Sequence, residues 1–297
     1  MNVTVGRPDW LTRALFPFES RFTEIAGHTI HYVDEGTGPT LLMLHGNPTW
    51  SFVYRHMIGL LRGHFRCVAV DYPGFGLSVA SEGYDHLPES HTAVVERFVE
   101  HLGLTDFTPV VQDWGGPIGL GVAGRHPGRV RALVILDTWA WPVADDPHFV
   151  RFSTLMGGVV GRFAIRNFNA FVNVMIPMGA PRRKLGAEIM RAYRLPMSTP
   201  SRREATHVFP KAIVGSTPFL AAVERGLAAL SDKPALLCWG DKDIAFREKE
   251  RARFARTFAR VRSVALPGAG HYVQEESPGE ISAAIRAWWP EDVEGRT

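Results

Sequence analysis

Apolar and polar positions along the chain fall into two alternating patterns. Short runs at 29–34, 41–45, 66–71, 109–112, 130–137, 235–239 and 261–266 are strand-like, and several are apolar throughout, as strands buried on both faces must be. The stretches 51–61, 89–102, 117–125, 248–259 and 279–288 instead carry the spacing of helices with one buried side. Strand followed by helix, repeated, predicts a mostly parallel sheet flanked by helices, an α/β fold. The alternation breaks between Trp139 and Arg225, a region rich in Phe, Met, Pro and Arg with helix-like pieces at 161–175 and 185–193 and no convincing strand. It reads as a helical cap inserted over the C-terminal edge of the sheet, where open α/β folds place their ligand crevice. The expected division is a core of 1–138 and 226–297 around a cap of 139–225.

Composition narrows the picture without redirecting it. With 297 residues, 45% hydrophobic and 21% charged, the chain can bury a sizeable core without staples. Cys67 and Cys238 sit inside the apolar runs FRCVAVD and ALLCWGD, which excludes a disulfide-built module and marks both as small buried hydrophobes. Arginine outnumbers lysine 28 to 5, yet the basic residues are spread beside 30 acids and the net charge is only +3. Nucleic acid is therefore not expected as a partner, and the lack of a spanning apolar run makes a membrane equally unexpected. The densest basic stretch, REKERARFARTFARVR at 247–262, places Phe254 and Phe258 on one helical face and charge on the other. No run approaches the roughly 18 apolar residues of a membrane span. The first residues lack the basic start, apolar segment and small-residue cleavage site of a signal peptide, so the expected address is cytoplasmic.

Four segments carry candidate chemistry. PVVQDWGG at 109–116 runs a strand into Asp113 and two glycines before a helix, the shape of a nucleophile elbow, which holds one side chain up at the rim of a sheet. The occupant is Asp, and no GxSxG occurs anywhere in the chain, so a serine esterase loses its main support. Gly115 and Gly116 suit a turn where a larger side chain would collide with neighbouring backbone. Position 111 is Val where serine elbows carry Gly. An isolated Asp before a helix also serves as an N-cap.

LLMLHGNPTW at 41–50 ends a strand in a tight turn that presents the amide of Asn47 and its side-chain NH2, two donors suited to an anion. An Asn before Pro also serves simply as a turn residue, and His45 reads as a brace for the loop. LPGAGHYVQ at 266–274 carries His271 on a Gly-rich loop, and LLCWGDKDIAF at 236–246 carries Asp241 and Asp243 after a strand. Nucleophile, acid, histidine is the chain order of a hydrolase triad on such a sheet. A carboxylate at Asp243 would hold the His271 ring, and Asp137, at the end of ALVILD, is the alternative acid from the neighbouring strand.

Taken together these motifs resemble the haloalkane dehalogenases of the α/β-hydrolase superfamily. The likeness runs through HGNPTWSFVYR at 45–55, DYPGFGLS at 71–78, VVQDWGG at 110–116, WGDKD at 239–243 and GAGHYVQEESP at 268–278. The resemblance implies Asp113 as nucleophile, His271 as base and Asp243 as acid. Asn47 and Trp114 would grip the halide, and their backbone amides would form the oxyanion hole. An acid after the seventh strand with an Asn and Trp pair looks like the third subfamily, while Asp137 occupies the place where the second keeps its acid. The implied reaction converts a small halogenated substrate to alcohol, halide and a proton through an alkyl-aspartate ester. It needs no metal or organic cofactor.

Neighbouring chemistries are separated by single residues. Epoxide hydrolysis uses the same kind of nucleophile with two cap tyrosines as acids, whereas the presumed cap holds only Tyr193, and Gln112 stands where that family has His. A fluoroacetate dehalogenase would put Arg directly after the nucleophile, where this chain has Trp114. A luciferase-like or catalytically idle binding protein on the same fold is the alternative from another class. Halide release separates it from the enzyme.

Overall fold

Runs that are apolar throughout become the inner strands of one sheet. The computed structural model describes residues 6–289 and 293. It contains β1 (Arg21–Ile25), β2 (His28–Glu35), β3 (Thr40–Leu44), β4 (Arg66–Val70), β5 (Phe107–Asp113), β6 (Leu133–Thr138), β7 (Pro234–Gly240) and β8 (Arg260–Leu266). Their order in the sheet is β1-β2-β4-β3-β5-β6-β7-β8. The strand β2 runs antiparallel to both its neighbours, and every pairing from β4 to β8 is parallel. Every residue of β6 and of β7 is buried, because helices cover both faces. Seven of these strands coincide with the apolar runs.

The pattern misses β1. Its sequence RFTEI is largely exposed at the edge of the sheet, where one face and one side meet water and charged side chains discourage further pairing.

On the flanks, Pro88–His101, Gly115–Arg125 and Thr217–Gly226 pack on one another, and Arg55–Leu61 packs on Pro278–Trp288. The basic stretch after residue 247 forms the helix Glu248–Thr257, with Phe254 and Phe258 buried and stacked and its charges paired outward, as in Arg251 with Glu248. Cys67 and Cys238 are fully buried, and burial pushes both thiols well above the usual range. Neither is placed to act as a thiolate nucleophile.

Between β6 and β7 the described chain leaves the sheet for Pro147–Gly157, Val159–Phe168, a π-helical turn Phe171–Met175, Ala187–Arg194 and Glu204–Gly215 before rejoining the flank. A buried cluster ties this helical layer to the core. The Tyr193 hydroxyl donates to Glu275, whose two oxygens accept from Arg55 at 2.5 and 2.8 Å. All three side chains are at least 95% buried. A buried ion pair stands only if its remaining hydrogen-bonding capacity is met, and Tyr193 helps to meet it here.

Candidate active site

Parallel strands end together, so loops distant in sequence meet at one rim. The ends of β3, β5, β6, β7 and β8 deliver Asn47, Asp113, Thr138, Asp243 and His271 to that rim. Asp113 adopts φ 50°, left-handed backbone that a side chain with a Cβ rarely takes, and the pairing of β5 with β6 shifts register between Val111 and Asp113. Strain of this kind costs on the order of 1–3 kcal/mol and persists only where neighbours enforce it. They do so here. The Thr138 hydroxyl donates to the Asp113 carbonyl at 2.5 Å. A Cβ on Gly115 would lie 2.0 Å from the Leu44 carbonyl oxygen, and one on Gly116 would lie 1.9 Å from Thr138 Oγ1. Val111 is accommodated where serine elbows have glycine because the following helix supplies the space: a Cβ on Gly119 would sit 2.7 Å from Val111 Cγ1.

The two oxygens of the Asp113 carboxylate face different partners. Oδ1 accepts the Asn47 amide at 2.7 Å, and the Trp114 amide also donates to the carboxylate. Oδ2 stands 3.7 Å from His271 Nε2. Burial pushes the Asp113 pKa up, while His271 and the two amides pull it down; it settles above the ordinary 3.8. The carboxylate is thus held charged in a site that disfavours its charge.

His271 donates from Nδ1 to Asp243 Oδ2 at 3.0 Å, and Asp243 Oδ1 is fixed by the Ala245 amide at 2.6 Å. With the proton on Nδ1, Nε2 is an acceptor, and the Gln112 side-chain amide lies 3.0 Å from it and 3.0 Å from the His271 carbonyl. Burial lowers the His271 pKa, the carboxylates of Asp243 and Asp113 raise it, and the sum lies above the ordinary 6.5.

Asp137 does not reach the imidazole. Its oxygens accept the Gly240 amide at 3.1 and 3.3 Å, and its carboxyl hydrogen-bonds to Asp243. Burial and the Asp243 charge hold its pKa well above the usual carboxylate range, and it stands behind the acid that faces His271. His45 is equally remote from chemistry. Its Nδ1 donates to the Gly46 carbonyl at 2.9 Å, its Nε2 accepts the Tyr72 amide at 3.2 Å, and burial pushes its pKa down to about 4.

These groups open on a cavity of about 380 Å³ that Asn47, Asp113, Trp114 and His271 share with Phe149, Phe152, Phe171, Met156, Met175 and Met178. The Trp114 indole is fixed by stacking on Phe209 at 4.8 Å and by an edge contact with Trp139 at 4.6 Å. The Asn47 side chain spends one N–H on the Thr206 carbonyl at 3.1 Å.

Three lining or bracing groups escaped the sequence reading. Trp139 lines the cavity, and its buried Nε1 has no partner among the described residues. Tyr272 lines it from the core side, while Tyr193 lies outside it, on Glu275. Gln112 braces His271. Its place beside Asp113 was the one available signal, whereas nothing local distinguishes Trp139 or Tyr272 from core aromatics.

Residues 39–278 match the model of the alpha/beta hydrolase fold. Over 91% of this chain and 95% of the relative, the sequence is 45% identical to haloalkane dehalogenase 2 of Mycobacterium tuberculosis. The chain belongs to the haloalkane dehalogenase family. The structure of the haloalkane dehalogenase DbeA from Bradyrhizobium elkani matches with a TM-score of 0.86 at 29% identity, over 94% of this chain and 99% of that one. A cis-3-alkyl-4-alkyloxetan-2-one decarboxylase of Xanthomonas campestris is 35% identical over 88% of this chain and 92% of its own length.

Proposed function

We propose that this member of the haloalkane dehalogenase family hydrolyses carbon–halogen bonds of small apolar substrates with Asp113, His271 and Asp243. One observation carries the reading. The Asp113 carboxylate has one oxygen on the Asn47 amide, takes a further hydrogen bond from the Trp114 amide, and turns its other oxygen to His271 beside an apolar cavity.

Asp113 Oδ2 attacks the halogen-bearing carbon from behind, an oxygen–carbon bond forms as the carbon–halogen bond breaks, and the halide leaves with the bonding pair. The indole N–H of Trp114 and the free N–H of the Asn47 amide are neutral donors. They take up the halide's charge without supplying a cation that would pair with Asp113. His271 then draws a proton from water, whose oxygen adds to the Asp113 carboxyl carbon. The negative charge this creates falls on Oδ1, already seated on the Asn47 amide, with the Trp114 amide also donating to this carboxyl group. Collapse expels the alkoxide, which takes the proton from His271, and the acid left on Asp113 ionises. The products are alcohol, halide and one proton.

The lining holds one tyrosine, Tyr272, rather than the pair that epoxide opening uses in the resembling hydrolases. The oxetanone-acting relative supports a second reading. A four-membered lactone presents a carboxylate nucleophile with the same kind of saturated carbon and a carboxylate as leaving group. The test is a substrate panel of bromoalkanes, chloroalkanes and a 3,4-dialkyl oxetanone, run with wild type beside Asp113→Asn and read as halide and acid release. Halide release that Asp113→Asn abolishes is expected. Turnover of the oxetanone with silence on every haloalkane selects the second reading, and silence throughout with folded protein overturns both.

A further inference from the structure

The segment 139–225 carries 12 basic and five acidic residues, a net charge of +7, against −4 for the rest of the chain. A whole-chain count conceals this polarity, and the expectation of no membrane partner rested on the lack of a spanning apolar run, which does not bear on peripheral contact. The same segment leaves large apolar side chains in water: Leu155 is 63% exposed, Val159 87%, Val160 74%, Phe163 60% and Phe168 65%. Scattered exposed residues need no explanation, but a contiguous patch does.

These residues are contiguous. Leu155, Val159 and Val160 wall one shallow groove together with Arg151. The rings of Phe163 and Phe168 meet edge-on at 5.9 Å. Leu155 and Met178 are exposed and yet line the cavity that holds Asp113, so the patch reaches the cavity mouth. The helix Val159–Phe168 buries Gly161 and Ile165, turns its valines and Phe163 outward, and is flanked by Arg162 and Arg166 on Glu204.

We propose that this apolar face, with Arg151 in its groove and Arg162 and Arg166 beside it, docks peripherally on an anionic lipid surface and takes apolar substrate from the bilayer into the cavity mouth. Aliphatic and aromatic tips beside arginines suit the boundary between acyl chains and phosphate headgroups. Among the described residues no single helix is long and apolar enough to cross a membrane, so the contact is peripheral. A second copy of the chain would cover the same tips but bring two strongly positive segments together, and a nucleic acid would leave the valines facing phosphate.

The test is sedimentation of the full chain with vesicles of phosphatidylcholine alone or mixed with phosphatidylglycerol. The comparison variants are Val160→Asp with Phe163→Asp, and Val159→Asp alone; thermal melting checks their fold. Expected is binding to the anionic vesicles, about tenfold weaker binding to the neutral ones, and release near 1 M salt, where screening falls to about 3 Å. Both variants should lose roughly tenfold or more in partition at unchanged melting. The proposal is overturned if the wild type stays in solution, or if folded variants bind vesicles as it does. Self-association or DNA retention with bare vesicles overturns it in favour of those partners.

Discussion

Asp113 Oδ2 lies 3.7 Å from His271 Nε2, beyond hydrogen-bond reach, although both side chains are fixed on their far sides. The separation leaves the carboxylate oxygen unblocked for attack on carbon and keeps the base close to the ester that follows.

Ester hydrolysis requires His271 to be neutral, and its pKa is held above 6.5 chiefly by Asp243 acting against burial. The rate of that step should rise with pH as His271 loses its proton, with Asp243 raising the midpoint against burial. Replacing the Asp243 charge by Asn lowers the His271 pKa, so the midpoint should move to lower pH while the plateau falls on the order of 10⁴-fold. Rapid-quench decay of the alkyl-enzyme across pH measures both. An unmoved midpoint in Asp243→Asn counts against this pairing.

Asp137 is the discriminating control. Asparagine there keeps an oxygen for the Gly240 amide and an N–H for Asp243, so Asp137→Asn should retain kcat within a few-fold while Asp243→Asn does not. Equal losses in the two variants would mean that the charge on His271 depends on Asp137.

Asp113 carries a stability cost. Its folded pKa lies above 3.8, so ionising it is harder in the fold than in the unfolded chain. The penalty is absent below the unfolded value and complete above the folded one. Asp113→Asn, which also tolerates left-handed backbone better, should melt higher at neutral pH by on the order of 1 kcal/mol, and the gap should narrow below pH 3.8. Calorimetry at several pH values reads it. A variant less stable at neutral pH would contradict the strain and burial assigned to Asp113.

Trp114→Phe keeps an aromatic ring beside Phe209 and removes the indole N–H together with part of the ring. Bromoalkane cleavage should fall by about 10²-fold, and bromide should inhibit the variant less. Unchanged bromide inhibition would place the halide elsewhere, with the unpartnered Trp139 Nε1 the next donor to remove.

How much of this was legible in the sequence follows from what each residue answers to. Inner strands buried on both faces declare themselves by composition; of the two exposed edge strands, β8 still showed an apolar run at 261–266, whereas β1, RFTEI, has none to show. Asp113 was legible because a strand running into Asp and two glycines before a helix is a local pattern, although what forbids larger residues there is the neighbouring strands, at Leu44 and Thr138. His271 and Asp243 lie 28 residues apart, and chain order with motif was enough to pair them. Choosing between Asp243 and Asp137 was harder, because both end neighbouring strands and only the approach of Nδ1 separates them. Gln112, Trp139 and Tyr272 act through packing between distant segments, which no local pattern encodes. The exposed apolar face of 155–168 has no sequence signature, because which side of a helix meets water is decided by the packing of distant segments.

The central claim is an alkyl ester on Asp113, and the most direct measurement is intact mass of His271→Ala after exposure to a small bromoalkane. The account predicts one alkyl group per chain, mapped to the peptide that contains Asp113, with one halide released for each. An unmodified chain, or halide released without any adduct, would contradict it.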